Sequence, residues 1–71
     1  ADPMRWRILQ LLAREELCTV HLQAELGAKQ ALMSHHLKVL RDHGLVTTSP
    51  CGRFTYYRLA AGAFDALHDL V

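Results

Sequence analysis

Cysteine is scarce in this chain: Cys18 and Cys51 stand far apart, with no repeated spacing. That excludes a disulfide framework and a four-cysteine zinc module. No apolar run approaches the roughly 18–20 residues that a membrane-crossing helix needs. No basic-then-apolar leader opens the chain, so a reducing cytoplasm is the expected compartment. Internal repeats and low-complexity stretches are also absent. With 71 residues, the chain makes one domain, spanning 1–71. A domain this small buries only about 60% of its unfolded surface, so a partner subunit would add stability and a dimer is expected. Both ends read as trimmed. The chain opens abruptly on Ala1-Asp2-Pro3 and stops inside the apolar phrase Leu67-His68-Asp69-Leu70-Val71.

What is present is a packed composition, 51% apolar, and an uneven charge. The net charge is +1, yet residues 1–28 sum to −1, residues 29–58 to +4 and residues 59–71 to −2. Positive charge gathered in the middle suits a nucleic-acid footprint. Charge alone does not separate that footprint from an ordinary solvated face.

The chain reads as three helices, a hairpin and a last helix. Asp2-Pro3 is a helix start, with Asp at the cap and Pro at the first helical position. Trp6, Ile8, Leu9, Leu11 and Leu12 then form an apolar stripe, which predicts a helix over 3–14. A second helix is predicted from about 18 to 26, with Val20, Leu22 and Leu26 on its apolar side and Gly27 as its stop. A third is predicted from about 29 to 43, because Met33, His36, Leu37 and Leu40 repeat at i, i+3, i+4 and i+7. Two short helices joined across a glycine turn form a helix-turn-helix, here at about 18–43. Leu45 to Thr48 alternates as a strand, Ser49-Pro50-Cys51-Gly52 is a turn, and Phe54 to Leu59 is a strand by composition. Together they predict a wing at about 45–59. Ala60 to Val71 returns to helix, with Phe64, Leu67 and Val71 on one side. The expected fold class is mostly α with a small β-hairpin, a winged helix-turn-helix.

In such a fold the second helix of the pair enters the major groove, its N-terminal residues leading. Those residues are Lys29, Gln30, Ala31, Ser34, His35 and Lys38. Gln30 can bind adenine in bidentate fashion, and Ser34 and His35 can bond a base edge or a phosphate. Ala31 or Leu32 can touch a thymine methyl. Lys38 and Arg41 lie further along and suit phosphates, and Arg53 at the wing tip can reach phosphate or minor groove. His36 falls in phase with the core, where packing or hydrogen bonding is its expected role. Tyr56 and Tyr57 are expected to close the core behind the wing rather than to stack on single strands.

The phrases "ADPMRWRILQLL", "ELCTVHLQAELG", "MSHHLKVLRDHGLV" and "GRFTYYRL" together resemble the ArsR/SmtB family of metal- and metalloid-responsive repressors. The resemblance covers nearly the whole chain. It implies a homodimeric winged helix that binds a palindromic double-stranded DNA operator and releases it when an inducer binds. It also implies a dimer built from an N-terminal and a C-terminal helix, of which this chain carries at most the start of the last. Arsenic, cadmium and lead sensors of the family carry "ELCVCDL" before the turn. Here Cys18 matches the first cysteine, Val20 replaces the second and His21 replaces the aspartate. Cys18 and His21, at i and i+3, offer two ligands of an incomplete metal site. A semi-buried structural cysteine beside a surface histidine is the competing reading. The family's other site, on the last helix, would fall on Ala61 and Ala63, which bind no metal. Asp65, His68 and Asp69 then read as a solvated helix face.

Two other functions fit the same scaffold. One is a repressor switched by oxidation of Cys18 or Cys51, the latter an exposed thiol at the wing tip. The other is a winged-helix protein-interaction module that binds no DNA. An enzyme is not expected, because no nucleophile, base and orienting residue suggest a triad.

Overall fold

Asp2 caps the first helix. Its side chain accepts hydrogen bonds from the backbone N–H of Met4 at 2.8 Å and of Arg5 at 3.2 Å. These are two of the donors that a helix N-terminus leaves orphaned. Helix α1 is Pro3–Leu12, in a computed structural model that describes residues 2–63. It stops two residues before the apolar stripe predicts. The N–H of Arg14 bonds the carbonyl of Leu11 at 3.0 Å, a tightened turn that ends the helix. Ile8, Leu9 and Leu12 are buried, whereas Trp6 is 49% exposed. Two residues apart on a helix, Trp6 and Ile8 point to nearly opposite sides.

The cap also sets a pH dependence. Hydrogen bonding from the N–H of Arg5 holds the Asp2 carboxyl below its ordinary value of 3.8. Loss of hydration opposes this, and the Met4 N–H and, more weakly, the Arg5 guanidinium add to the lowering. A depressed folded-state pKa gives stability that is present above the unfolded value and lost as pH falls through the folded one. Asp2→Ala should therefore melt below wild type at pH 7, with the gap closing in acid below the carboxylate range. Identical melting temperatures at pH 7 would contradict the cap.

Helix α2 is Thr19–Leu26 and ends at Gly27, whose φ of 64° is left-handed. Glycine takes that conformation without the steric penalty of a side chain. The N–H of Ala28 closes the turn onto the carbonyl of Gln23 at 3.3 Å. Lys29 is extended, and α3 runs Gln30–Asp42, so Lys29 caps the helix rather than lying within it. As the periodicity requires, Met33, His36, Leu37 and Leu40 are buried. Met33, Leu37 and Leu40 pack with Ile8, Leu9, Leu12, Leu17, Leu22 and Val46 in one core. Val20 departs from the expected apolar side of α2 and is 59% exposed.

The wing is larger than a hairpin. Three antiparallel strands, β1 (Leu17–Cys18), β2 (Val46–Cys51) and β3 (Phe54–Leu59), lie in the order β1-β3-β2. Strand β1 replaces the expected start of α2 and pairs Leu17 with Tyr57 and Cys18 with Tyr56. In the hairpin, Cys51 lies opposite Phe54, leaving Gly52-Arg53 as a two-residue turn. Gly52, at φ 60°, takes the first central position, as a type II′ turn requires. The expected turn at Ser49-Pro50-Cys51-Gly52 is thus corrected: Ser49, Pro50 and Cys51 are strand residues. Pro50 pairs with Thr55 on an edge strand, where a missing N–H is tolerated.

After β3 the N–H of Ala60 bonds the carbonyl of Leu45 at 3.0 Å, and residues 61–62 form a turn. The expected helical start at Ala60 is therefore replaced by a turn, and Ala63 is buried in the core. Phe64, Asp65, Leu67, His68, Asp69 and Val71, which the sequence places on a last helix, lie outside the described residues.

Candidate nucleic-acid interface

Burial of one side of α3 fixes what its other side presents. With Met33, His36, Leu37 and Leu40 in the core, Gln30, Ala31, Ser34, His35, Lys38 and Arg41 are all exposed. Lys29, just before the helix, and Arg53, at the wing tip, are exposed as well. The eight residues singled out in the sequence therefore all reach solvent.

The fold brings three of them together. Gln30 and Ser34 of α3 and Arg53 of the wing line one groove of about 340 Å³. Thr19, Val20 and Gln23 of α2, and Phe54, Thr55 and Tyr57 of β3, also line it, and among the described residues no carboxylate does. The sequence pointed to none of these six residues as part of an interface, because they come from two other elements. Nothing local in the sequence marks them: Val20 and Phe54 are large apolar side chains that only the fold shows to be 59% and 49% exposed. Lys38 and Arg41 lie outside the groove, further along α3. Arg58 is committed elsewhere, its Nε donating to Thr47 Oγ1 at 3.1 Å.

His36 is buried at 6% exposure, its ring centre 5.7 Å from that of His35, and its Nδ1 has no hydrogen-bond partner. It is buried, as its phase requires. Tyr56 and Tyr57 are half-buried, and Tyr57 packs against the core.

Cys18 and His21, the two residues proposed as metal ligands, take different places at the start of α2. Cys18 lies in β1 and serves as the cap residue of α2, half-buried. His21, in the first turn of α2, instead places Nε2 3.5 Å from Oε1 of Glu25. It lines a cleft with Arg14, Glu15 and Glu25 that Cys18 does not reach. Among the described residues, no three His, Cys, Asp or Glu side chains converge where a metal ion would sit. This donor set does not fit a bound metal on its own. Cys18 and Cys51 are free thiols on strands flanking β3. Two strand spacings put their Cα atoms at least about 9 Å apart. A disulfide needs less than about 7 Å, so the two cannot join within one chain. Among the described residues, no helix is long and apolar enough to cross a membrane.

Comparison with known proteins agrees with this architecture. The sequence pattern of "Bacterial regulatory protein, arsR family" matches residues 2–48. A transcriptional repressor SmtB homolog from Synechocystis is 43% identical over 84% of this chain and 46% of its own length. A crystal structure of a possible transcriptional regulator for arsenical resistance superposes with a TM-score of 0.90 at 40% identity. That match covers 97% of this chain and 72% of the other. The homodimeric winged helix-turn-helix DNA-binding domain of a possible ArsR-family regulator from Mycobacterium bovis gives a TM-score of 0.84 at 30% identity. It covers 97% of this chain and 64% of that one. The chain spans 46% and 66% of the first two curated relatives it matches. On sequence pattern and on fold alike, this chain belongs to the arsR family of bacterial regulatory proteins, which are winged-helix transcriptional regulators and not enzymes.

Proposed function

We propose that this chain is the DNA-reading module of a dimeric repressor acting in the cytoplasm, with α3 laid in the major groove and the wing beside it. The observation that carries this reading is the groove itself, in which Gln30, Ser34 and Arg53 meet from two elements with no carboxylate among the described residues. Gln30, Ala31, Ser34 and His35 face base edges. Lys29, Lys38, Arg41 and Arg53 take phosphates. A two-fold dimer presents two such modules, so the operator is a palindrome, as half-site symmetry demands. The homodimeric state of the Mycobacterium bovis relative supports the dimer.

An inducer releases the operator. The similarity to a possible regulator for arsenical resistance favours a metal or metalloid. Cys18 and His21 supply at most two donors, so the rest of any such site comes from outside residues 2–63 or from the partner subunit. Titration of candidate metals and arsenite against the operator complex tests the inducer class.

Binding-site selection from a random duplex pool, at low salt, tests the reading itself. Recovery of one palindromic sequence is expected, and no enrichment would overturn it. Gln30→Ala should then relax the preference at one base pair per half-site, by about 1–3 kcal/mol for a bidentate contact. Equal losses on selected and random duplexes would contradict that role for Gln30.

A further inference from the structure

Between α1 and the C-terminal end of α3 lies an open pocket of about 220 Å³. Its apolar walls are Trp6 and Leu9 of α1, Val39 and Leu40 of α3, and Leu45. Val39 follows Ser34 by five residues, which turns it roughly 140° around the helix from the reading face. We infer that this pocket binds a small aromatic carboxylate, which acts as an effector of operator binding apart from any metal. Its role as an effector rests on the DNA-reading function proposed above, whereas the binding itself does not.

Size and lining set the body of the ligand. An apolar cavity of about 150 Å³ takes up benzene, so this larger one has room for a ring or a fused pair with a carboxylate. Leu9, Leu40 and Leu45 are buried and form the floor, whereas Trp6 is 49% exposed and offers an indole on which a ring can stack. Arg5 sets the charge. It is half-buried, and among the described residues it forms no ion pair. The other polar residues of the lining are already engaged. Asp2 accepts the backbone N–H of Met4 and of Arg5, and His43 donates its Nδ1–H to the carbonyl of Val39 at 2.8 Å. A guanidinium fork matches a carboxylate with two parallel hydrogen bonds. An amine would meet repulsion from Arg5, and a neutral ring would leave it unanswered. Leu45 connects the pocket to the DNA-reading parts. Its N–H donates to the carbonyl of Leu40 in α3, and its carbonyl accepts the N–H of Ala60 after β3, both at 3.0 Å. A ligand wedged against Leu45 therefore bears on the angle between α3 and the wing.

The probes are 1-naphthoate and its neutral isostere 1-naphthamide, titrated by calorimetry into the full-length protein without DNA. Naphthoate should bind about tenfold or more tighter than naphthamide, the effect of a hydrogen bond to a charged group. Arg5→Gln keeps the backbone N–H that caps α1, so it should erase that difference and leave the melting temperature near wild type. Trp6→Ala should weaken both probes. Naphthoate should also slow the oxidation of Trp6 by N-bromosuccinimide, read by mass spectrometry. Saturating naphthoate should change the affinity for a selected duplex by about fivefold or more, the range of an ordinary allosteric coupling. No binding at millimolar naphthoate overturns the inference. So does equal affinity for the two probes, or a Trp6 that resists oxidation before any ligand is added, which would mean that another part of the protein covers the pocket. Binding with no change at the duplex overturns the effector role. Failure to bind any duplex overturns the DNA-reading function and the effector role with it, and leaves the carboxylate site standing.

Discussion

Leu22→Ala should lower the unfolding free energy by about 2–5 kcal/mol, the range for a buried leucine cut to alanine. Leu22 is 0% exposed and is the one buried residue of α2. The lost transfer energy is one part of the cost. The other is the cavity left between α2 and the core, which the remaining core residues fill only partly. The loss is large against the whole. At about 0.05–0.15 kcal/mol per residue, a domain of this size holds only about 4–10 kcal/mol. The melting temperature should fall by more than about 10 °C, since each kcal/mol shifts a domain this small by about 4–8 °C. Val20→Ala is the control on the same helix. Val20 is 59% exposed, and surface substitutions of this kind stay within about 0.5 kcal/mol. Urea unfolding of both variants decides. A Leu22→Ala loss under about 1 kcal/mol, or an equal loss for Val20→Ala, would mean that α2 is not anchored as described.

The contrast between those two residues shows where the sequence was legible. Capping by Asp2-Pro3, the stop at Gly27 and the buried set Met33, His36, Leu37 and Leu40 each depend on neighbours within a few positions. Local physics writes such features into local sequence. Val20 and Trp6 were grouped with the apolar sides of their helices because they are apolar, yet their side chains face outward. Nothing in residue type separates a leucine that meets a partner from a valine that does not. Pro50 misled for a related reason. It marks a turn in most contexts, but on the edge strand β2 its missing N–H need not face a neighbour, so the hairpin continues to Cys51. Strand β1 carried no signal, because two residues have no periodicity and their partners, Tyr56 and Tyr57, lie far along the chain. The interface was half legible for the same cause. Its α3 residues share one helix face, whereas Thr19, Gln23 and Thr55 reach the groove only through the packing of α2 and β3.

Raising salt from 50 to 200 mM should weaken operator binding about a thousandfold to a hundred-thousandfold, the loss for a protein making roughly 6–10 phosphate contacts. The count takes the four cations assigned to phosphates above, those of α3, its cap and the wing tip. Lys29, Lys38, Arg41 and Arg53 point to solvent in each chain, so a dimer offers about eight contacts and a log–log slope near about −7. Lys38→Ala removes one contact from each half of the dimer. It should make the slope shallower by about 1.8 and weaken selected and random duplexes alike. Gln30→Ala should do the reverse, leaving the slope alone and losing only the preference at one base pair. The two variants thus separate the part of the surface that holds DNA from the part that reads it. Fluorescence anisotropy at several salt concentrations measures both. A wild-type slope shallower than about −3 would mean that most of these cations never meet a phosphate. A slope unchanged in Lys38→Ala would remove that lysine from the interface and shift the burden to Arg41 and to Arg53 at the wing tip.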